Sequence, residues 1–293
     1  MGAALSTCGP GCGPDEVSGS SSGRLRHGGG KARPSPRSRQ VLTGAGNSAS
    51  AGPVGHCRDG DPRRRSLCSE GTTMKIGIIG AGNIGGNLTR RLTALGHEVS
   101  VANSRGPQTL TALAEETGAT PVPVTEAARG AEIVIVTIPL KAVPDLPAGL
   151  LDGAAAGFAV IDTNNYYPRE RDGRIAGIED DGLTESRWTE RHLGHPVVKA
   201  FNGTYAADIL DRPRPAGDPQ RIALPVAGDD EVAKKTVRAL IDELGFDTVD
   251  AGGLDESWRQ QPDTPVYGLR AGVAAVTAAL AAASPERPAA FRG

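Results

Sequence analysis

Beyond residue 73 the sequence has no cysteine: Cys8, Cys12, Cys57 and Cys68 all precede Met74. Neither a disulfide framework nor a thiolate metal centre can therefore hold the remainder together, and the spacing of the four upstream cysteines matches no zinc pattern. No run of about 20 apolar residues occurs, so no membrane-spanning helix is expected. Positive charge is scarce where a polyanion would need it. Residues 1–73 carry 10 Lys/Arg against 5 Asp/Glu, whereas the rest carries 22 against 29, and a net-acidic body gives no electrostatic basis for nucleic-acid binding. A legible Ser/His/Asp arrangement, an H-E-x-x-H helix and a Cys/His cluster are all missing, so no metal is expected and no catalytic residue can be named. The three histidines after residue 73 are His97, in a turn before a strand, and His192 and His195, flanking a helix end.

Residues 1–73 also lack hydrophobic periodicity. They are rich in Gly, Ser, Arg and Pro, and such a chain cannot bury enough apolar surface to offset its backbone entropy. The segment is read as a disordered extension. "MGAALS" fits the short acylation pattern with Gly2 as acceptor and Ser6 in its last place. "PRRRSLC" has an arginine run but no adjoining apolar stretch of the kind a secretion signal needs. Met74, set directly before the first strand, is expected to be the natural translation start, with the upstream residues absent from the native protein. The expected location is the cytoplasm.

From Met74 short apolar runs alternate with amphipathic segments. Strands are expected at 76–79, 98–102, 133–138, 158–162, 197–201, 222–226 and 248–250, and helices at 83–95, 109–117, 125–129, 184–193 and 231–244. "IVIVTIP" and "FAVIDTN" are continuously apolar, which suits strands covered on both faces. In the last of these helices Asp229 or Asp230 can cap the start, Val232, Val237, Leu240 and Ile241 form one stripe, and Gly245 ends it. This alternation predicts an α/β fold, a doubly wound and mostly parallel sheet with a small C-terminal helical segment. The expected divisions are 1–73 as extension, 74–254 as the α/β domain, 255–283 as the helical segment and 284–293 as a flexible tail. "GLRAGVAAVTAALAAA" reads as a packing or dimer helix, so a homodimer is one expectation.

Gly80, Gly82 and Gly85 stand in G-x-G-x-x-G spacing between the first strand and the first helix, the context that gives this motif its meaning as a Rossmann fingerprint. Gly80 permits the tight turn, Gly82 leaves room for a pyrophosphate, and Gly85 lets the helix pack on the strand. The helix start, Asn83 and Ile84, offers free N–H groups and a positive dipole end. At the end of the second strand, where an NAD site carries an acidic residue, stand Asn103, Ser104 and Arg105. A carboxylate would repel a 2′-phosphate, whereas a hydroxyl and a guanidinium would bind it, so the expected cofactor is NADP(H). Ligands in open α/β sheets lie beyond the strands' carboxyl ends. That rule places Thr137, Ile138 and Pro139 along the dinucleotide and Asn164 near the nicotinamide. Asn165, Tyr166 and Asn202 are substrate candidates, with Tyr166 and Tyr167 offered as a stacking surface or as packing under the "PRERDGR" loop. Hydride transfer depends mostly on holding donor and acceptor carbons together, so the missing acid–base set fits exchange between two cofactor-like rings.

"MKIGIIGAGNIGGNLTRRLTALGHEVSVANSRGP", "VVKAFN", "LPVAGDDEVAKKTV" and "LIDELGFDTVDAGGL" resemble the NADPH-dependent coenzyme F-420 reductase family from about Met74 to Leu254. The resemblance implies a Rossmann domain, hydride exchange between NADP(H) and the deazaflavin coenzyme F-420 as co-substrate, frequent dimers, and Ser104 and Arg105 as the grip on the 2′-phosphate. The same domain type occurs in pyrroline-5-carboxylate reductases and in metal-reducing membrane oxidoreductases. Two stretches depart from the family, "NYYPRERDGRIAGIEDDGLTESRW" and the chain after Leu254. Both would contribute to the second-substrate pocket, so reduction of a small imine or carbonyl compound and a non-catalytic NADP-sensing role stand as alternatives.

Overall fold

The computed structural model describes residues 73–293. The cysteines, the Gly2 pattern and the expected extension lie outside the described residues. β1 (Lys75–Ile79) is a short β-branched run buried from Ile76 onward. It feeds α1 (Asn83–Ala94), which buries Leu88 and Leu92, and then β2 (Glu98–Ala102). A 3₁₀ turn (Pro107–Leu110) leads into α2 (Thr111–Thr117) and the two-residue β3 (Thr120–Pro121). β4 (Ile133–Val136) and β5 (Ala159–Asp162) are buried throughout. Next come the single turn α3 (Ala176–Glu179), α4 (Glu185–Leu193), β6 (Val198–Lys199) and the single turn α5 (Asp208–Asp211).

The six strands form one sheet in the order β3-β2-β1-β4-β5-β6, every pair parallel. Chain direction across the sheet reverses between β1 and β4, and this switch point opens a crevice at the carboxyl edge. On one face Ile76, Ile78, Ile133, Ile135 and Ile161 pack with Leu88, Leu92, Val237, Leu240 and Ile241. On the other, Val134, Val136 and Val160 pack with Ala127, Ala128, Leu150 and Leu254. Cover on both faces is the doubly wound arrangement that the continuous apolar runs imply.

β7 (Ala223–Val226), α6 (Glu231–Glu243) and β8 (Asp247–Asp250) form a βαβ unit whose two strands pair only with each other. One antiparallel bridge, Lys199 to Ala227, links this small sheet to the main one. α7 (Val273–Ala281) covers it with Val276 and Leu280. β6 is shorter than the apolar run around it because Phe201 adopts a φ of 62° and turns the chain away. Residues 284–293, expected to be a loose tail, return to the body: Arg287 donates to Glu185 at 2.8 Å and Arg169 donates to the Arg292 carbonyl at 3.1 Å. No described helix is long and apolar enough to cross a membrane.

Candidate active site

The glycine loop occupies the turn from β1 into α1. Gly80 has a φ of 111°, and a Cβ there would lie 2.1 Å from the Thr137 carbonyl oxygen. At Gly85 a Cβ would lie 1.9 Å from the Gly80 carbonyl oxygen, so helix and strand approach too closely for a side chain. Gly82 is different. It is the N-cap of α1, no side chain caps the helix, and the space around a Cβ there is open to 4 Å. No acidic residue sits in the first turn. The Asn83 and Ile84 amides therefore face that space with the positive helix end unneutralised. This is an anion cradle, and the residues present fit a dinucleotide pyrophosphate.

After β2 the chain makes an Asx turn. Asn103 accepts through Oδ1 from the Arg105 amide at 3.0 Å and donates through Nδ2 to Thr109 Oγ1 at 2.9 Å. Its side chain is thus spent on the turn, which presents Ser104 and Arg105 to solvent. Arg90 on the neighbouring helix binds both oxygens of Glu116 at 2.7 Å. Arg105, by contrast, makes no ion pair with any described residue.

The ends of β4 and β5 are tied together. The Ile138 amide donates to Asn164 Oδ1 at 3.0 Å, and the Asn164 amide donates to Asp162 Oδ1 at 3.0 Å. Asn164 is buried, yet its Nδ2 has no hydrogen-bond partner. A buried donor left unpaired costs about 1–3 kcal/mol. Pro139 is exposed and opens the 3₁₀ turn Leu140–Asp145.

The substrate candidates separate. Tyr166 is fully buried among Leu140, Val143, Ile178 and Trp188, with its hydroxyl bonded to Glu179 at 3.0 Å. It offers no stacking surface to a substrate, which corrects that expectation and leaves the packing alternative for Tyr166, whereas Tyr167 is half-buried. Asn202 is also buried. Its Nδ2 donates to the Gln260 carbonyl at 2.6 Å and to Asn165 Oδ1 at 3.0 Å, so it orients Asn165 from beneath. Asn165 and Tyr167 are half-buried and reach the edge, joined there by Tyr267, whose hydroxyl bonds that of Tyr167.

Beneath these residues lies a charged cluster absent from the sequence-based reading. Lys199, fully buried, donates to Glu185 Oε2 at 3.3 Å and to the Asn164 carbonyl at 3.1 Å. Glu185 Oε1 accepts from Arg287, and Asp162 accepts from Ser186 Oγ at 2.7 Å. Burial pushes the Asp162 carboxyl above the usual carboxylate range, opposed by the nearby Lys199 and the Ser186 hydrogen bond. Lys199 left a signal, a lone lysine within the apolar "VVKAF" run. Glu185 and Arg287 left none, because their surroundings read as solvated.

Residues 75–166 match the family described as NADP oxidoreductase, coenzyme F420-dependent. Among curated proteins, the chain is 47% identical over 60 residues to the YjhV protein of Escherichia coli strain K12, covering 20% of this chain and 44% of that one. It is 43% identical over 168 residues to the erythronate-4-phosphate dehydrogenase of Salinibacter ruber, covering 55% and 36%. The chain thus spans less than half the length of either curated relative. Among solved structures it resembles the protein SMa0349 of Sinorhizobium meliloti, with TM-score 0.58, 29% identity, and 69% and 96% of the two chains covered. It also resembles a protein of Arthrobacter sp. FB24 carrying a provisional assignment as an F420-dependent NADP reductase, with TM-score 0.50, 25% identity, and 62% and 86% covered.

Proposed function

We propose, for a chain whose residues 75–166 match the coenzyme F420-dependent NADP oxidoreductase family, that it moves a hydride between NADP(H) and a deazaflavin, coenzyme F-420, or a flavin-like ring. The observation that carries the cofactor choice is Arg105, exposed at the carboxyl end of β2 and free of ion pairs with described residues. With Ser104 it supplies a charged fork and a hydroxyl where an acidic residue would select against a 2′-phosphate. A hydrogen bond to a charged group contributes about 1.5–3 kcal/mol, a preference of roughly tenfold or more.

The remaining roles follow from position. Gly80, Gly82 and Gly85 shape the cradle, and the α1 amides take the pyrophosphate. Thr137, Ile138 and Pro139 line the next stretch, and Asn164 offers its unpaired amide to the nicotinamide carboxamide. NADPH, when bound, supplies the hydride. What this chain adds is the registration of donor and acceptor faces, which is where such catalysis chiefly comes from. The proposal describes a cytoplasmic enzyme with a small-molecule acceptor.

The test is NADPH oxidation by the full chain with coenzyme F-420, FMN or small cyclic imines as acceptor, repeated with NADH and with Arg105→Ala. Turnover with F-420 and a collapse of the NADPH-over-NADH preference by about tenfold in the variant are expected. An unchanged preference would remove Arg105 from the phosphate site. Turnover only with imines would move the chain to the small-substrate reductases. Tight NADPH binding without turnover by any acceptor would mark a sensor.

A further inference from the structure

The hydroxyls of Tyr167 and Tyr267 are hydrogen-bonded to each other across a separation of 100 residues. Tyr167 follows β5. Tyr267 lies after Leu254, and both tyrosines fall outside residues 75–166, the stretch that matches the family. Both side chains are half-buried, with edges at the surface.

The pair is held from several directions. The Tyr167 amide donates to the buried carboxylate of Asp172 at 2.8 Å, inside a single π turn, Pro168–Asp172. The Arg171 guanidinium stands 5.1 Å over the Tyr167 ring. On the other side, Asn165 Nδ2 lies 3.5 Å from the Tyr267 hydroxyl and 2.8 Å from the Asn202 carbonyl. Asn202 in turn follows Phe201, whose φ of 62° is costly for a bulky residue. A strained turn, a π turn and two asparagines thus converge on two phenols. Asn165 is the chain neighbour of Asn164, the residue that the proposed function sets beside the nicotinamide.

Burial pushes both phenols above the ordinary tyrosine range, so both carry their protons at neutral pH. Hydride delivery to a flavin-like ring is mainly a matter of positioning, and such a group would assist it by neutralising the charge that develops on the ring. The dihydronicotinamide C–H bond breaks and a new bond to hydrogen forms at the acceptor ring atom, a carbon in a deazaflavin and a nitrogen in FMN. The displaced electron pair moves through the conjugated ring to a nitrogen or carbonyl oxygen, which takes up a proton where a donor is at hand. NADP+ and the reduced, protonated ring result.

We infer that the Tyr267 hydroxyl donates this proton and that Tyr167 positions it, its own hydroxyl hydrogen-bonding the phenolate until solvent reprotonates it. The inference rests on the proposed hydride transfer and adds the proton donor that reading lacks.

The experiment compares wild type, Tyr267→Phe and Tyr167→Phe as full chains, with NADPH affinity, kcat and KM for F-420 or FMN in H2O and D2O, and thermal unfolding. Tyr267→Phe should lower kcat about 100-fold, keep NADPH affinity within about twofold and change the solvent isotope effect on kcat. Tyr167→Phe should lose less activity and shift the alkaline limb of the pH–rate profile. In the cofactor-free protein, ultraviolet titration of Tyr267→Phe should show Tyr167 ionising at lower pH, because the acceptor of its hydroxyl proton is gone. Unaltered kcat and isotope effect in Tyr267→Phe, or a titration that loses one phenol with no shift of the other, would overturn the inference while leaving hydride transfer intact. A wild type that binds NADPH but reduces no acceptor would overturn hydride transfer itself, and the proton donor with it.

Discussion

Gly82 and Gly85 stand three residues apart in one motif, yet the space around them is opposite in kind. A methyl group at Gly85 would meet a carbonyl oxygen at 1.9 Å and Thr137 Cγ2 at 2.8 Å, whereas one at Gly82 would meet nothing within 4 Å. The backbone at Gly82, with φ −77° and ψ −162°, is also open to alanine. The protein itself therefore does not require glycine at 82, whereas the proposed dinucleotide against the backbone would. Gly82→Ala should unfold at nearly the wild-type temperature and bind NADPH at least about tenfold more weakly. Gly85→Ala should lose thermal stability outright. Calorimetric titration and thermal unfolding of the two variants separate these effects, and wild-type affinity in Gly82→Ala would place the pyrophosphate elsewhere. Glycine spacing made Gly80 and Gly85 legible in the sequence, because backbone approach demands one residue type there. The paired Tyr166 and Tyr167 show the opposite: successive side chains on an extended stretch point to opposite sides, and nothing in "NYYP" says which ring faces the interior.

Among the elements, α6 is the one whose ends the sequence announces most clearly. Asp230 Oδ1 accepts from the Val232 and Ala233 amides at 2.8 and 3.0 Å, so it is the cap. Asp229, the other candidate, accepts from the Leu254 amide at 2.8 Å and pairs with Arg187. Asp230→Ala should destabilise the protein by about 1 kcal/mol, read as a lower urea midpoint with an unchanged slope; no change would mean that packing alone holds the helix. β3 was not legible. It is two residues long and contains Pro121, which an edge position tolerates and a sequence pattern does not reveal. Nor could local pattern show that β7 and β8 leave the main sheet. β7 is as apolar as β5, whereas β8 reads Asp-Thr-Val-Asp with only Val249 buried, and sheet membership is decided by long-range pairing.

At the scale of the whole molecule, the charges under the site join distant parts of the chain: Asp162 at the end of β5, Glu185 opening α4, Lys199 in β6 and Arg287 near the C-terminus. No window of sequence contains them together, which is why they could not be read from it. Breaking a buried pair such as Lys199–Glu185 would leave one charge uncompensated, at a cost of about 3–5 kcal/mol. Asp162 allows a gentler test. Burial raises its folded-state pKa above the unfolded value, so the folded protein holds that proton more tightly than the unfolded chain. Its contribution to stability is complete below the unfolded pKa and is lost as pH rises through the raised folded value. Asp162→Asn removes this titration while Oδ1 can still accept from the Asn164 amide. The variant should therefore gain stability relative to wild type over an interval of rising pH that starts at the ordinary carboxylate value of about 4, measured by urea denaturation at several pH values. A relative stability that instead falls over that interval would show that Lys199 and Ser186 outweigh desolvation, making Asp162 a net stabilising anion beneath the crevice.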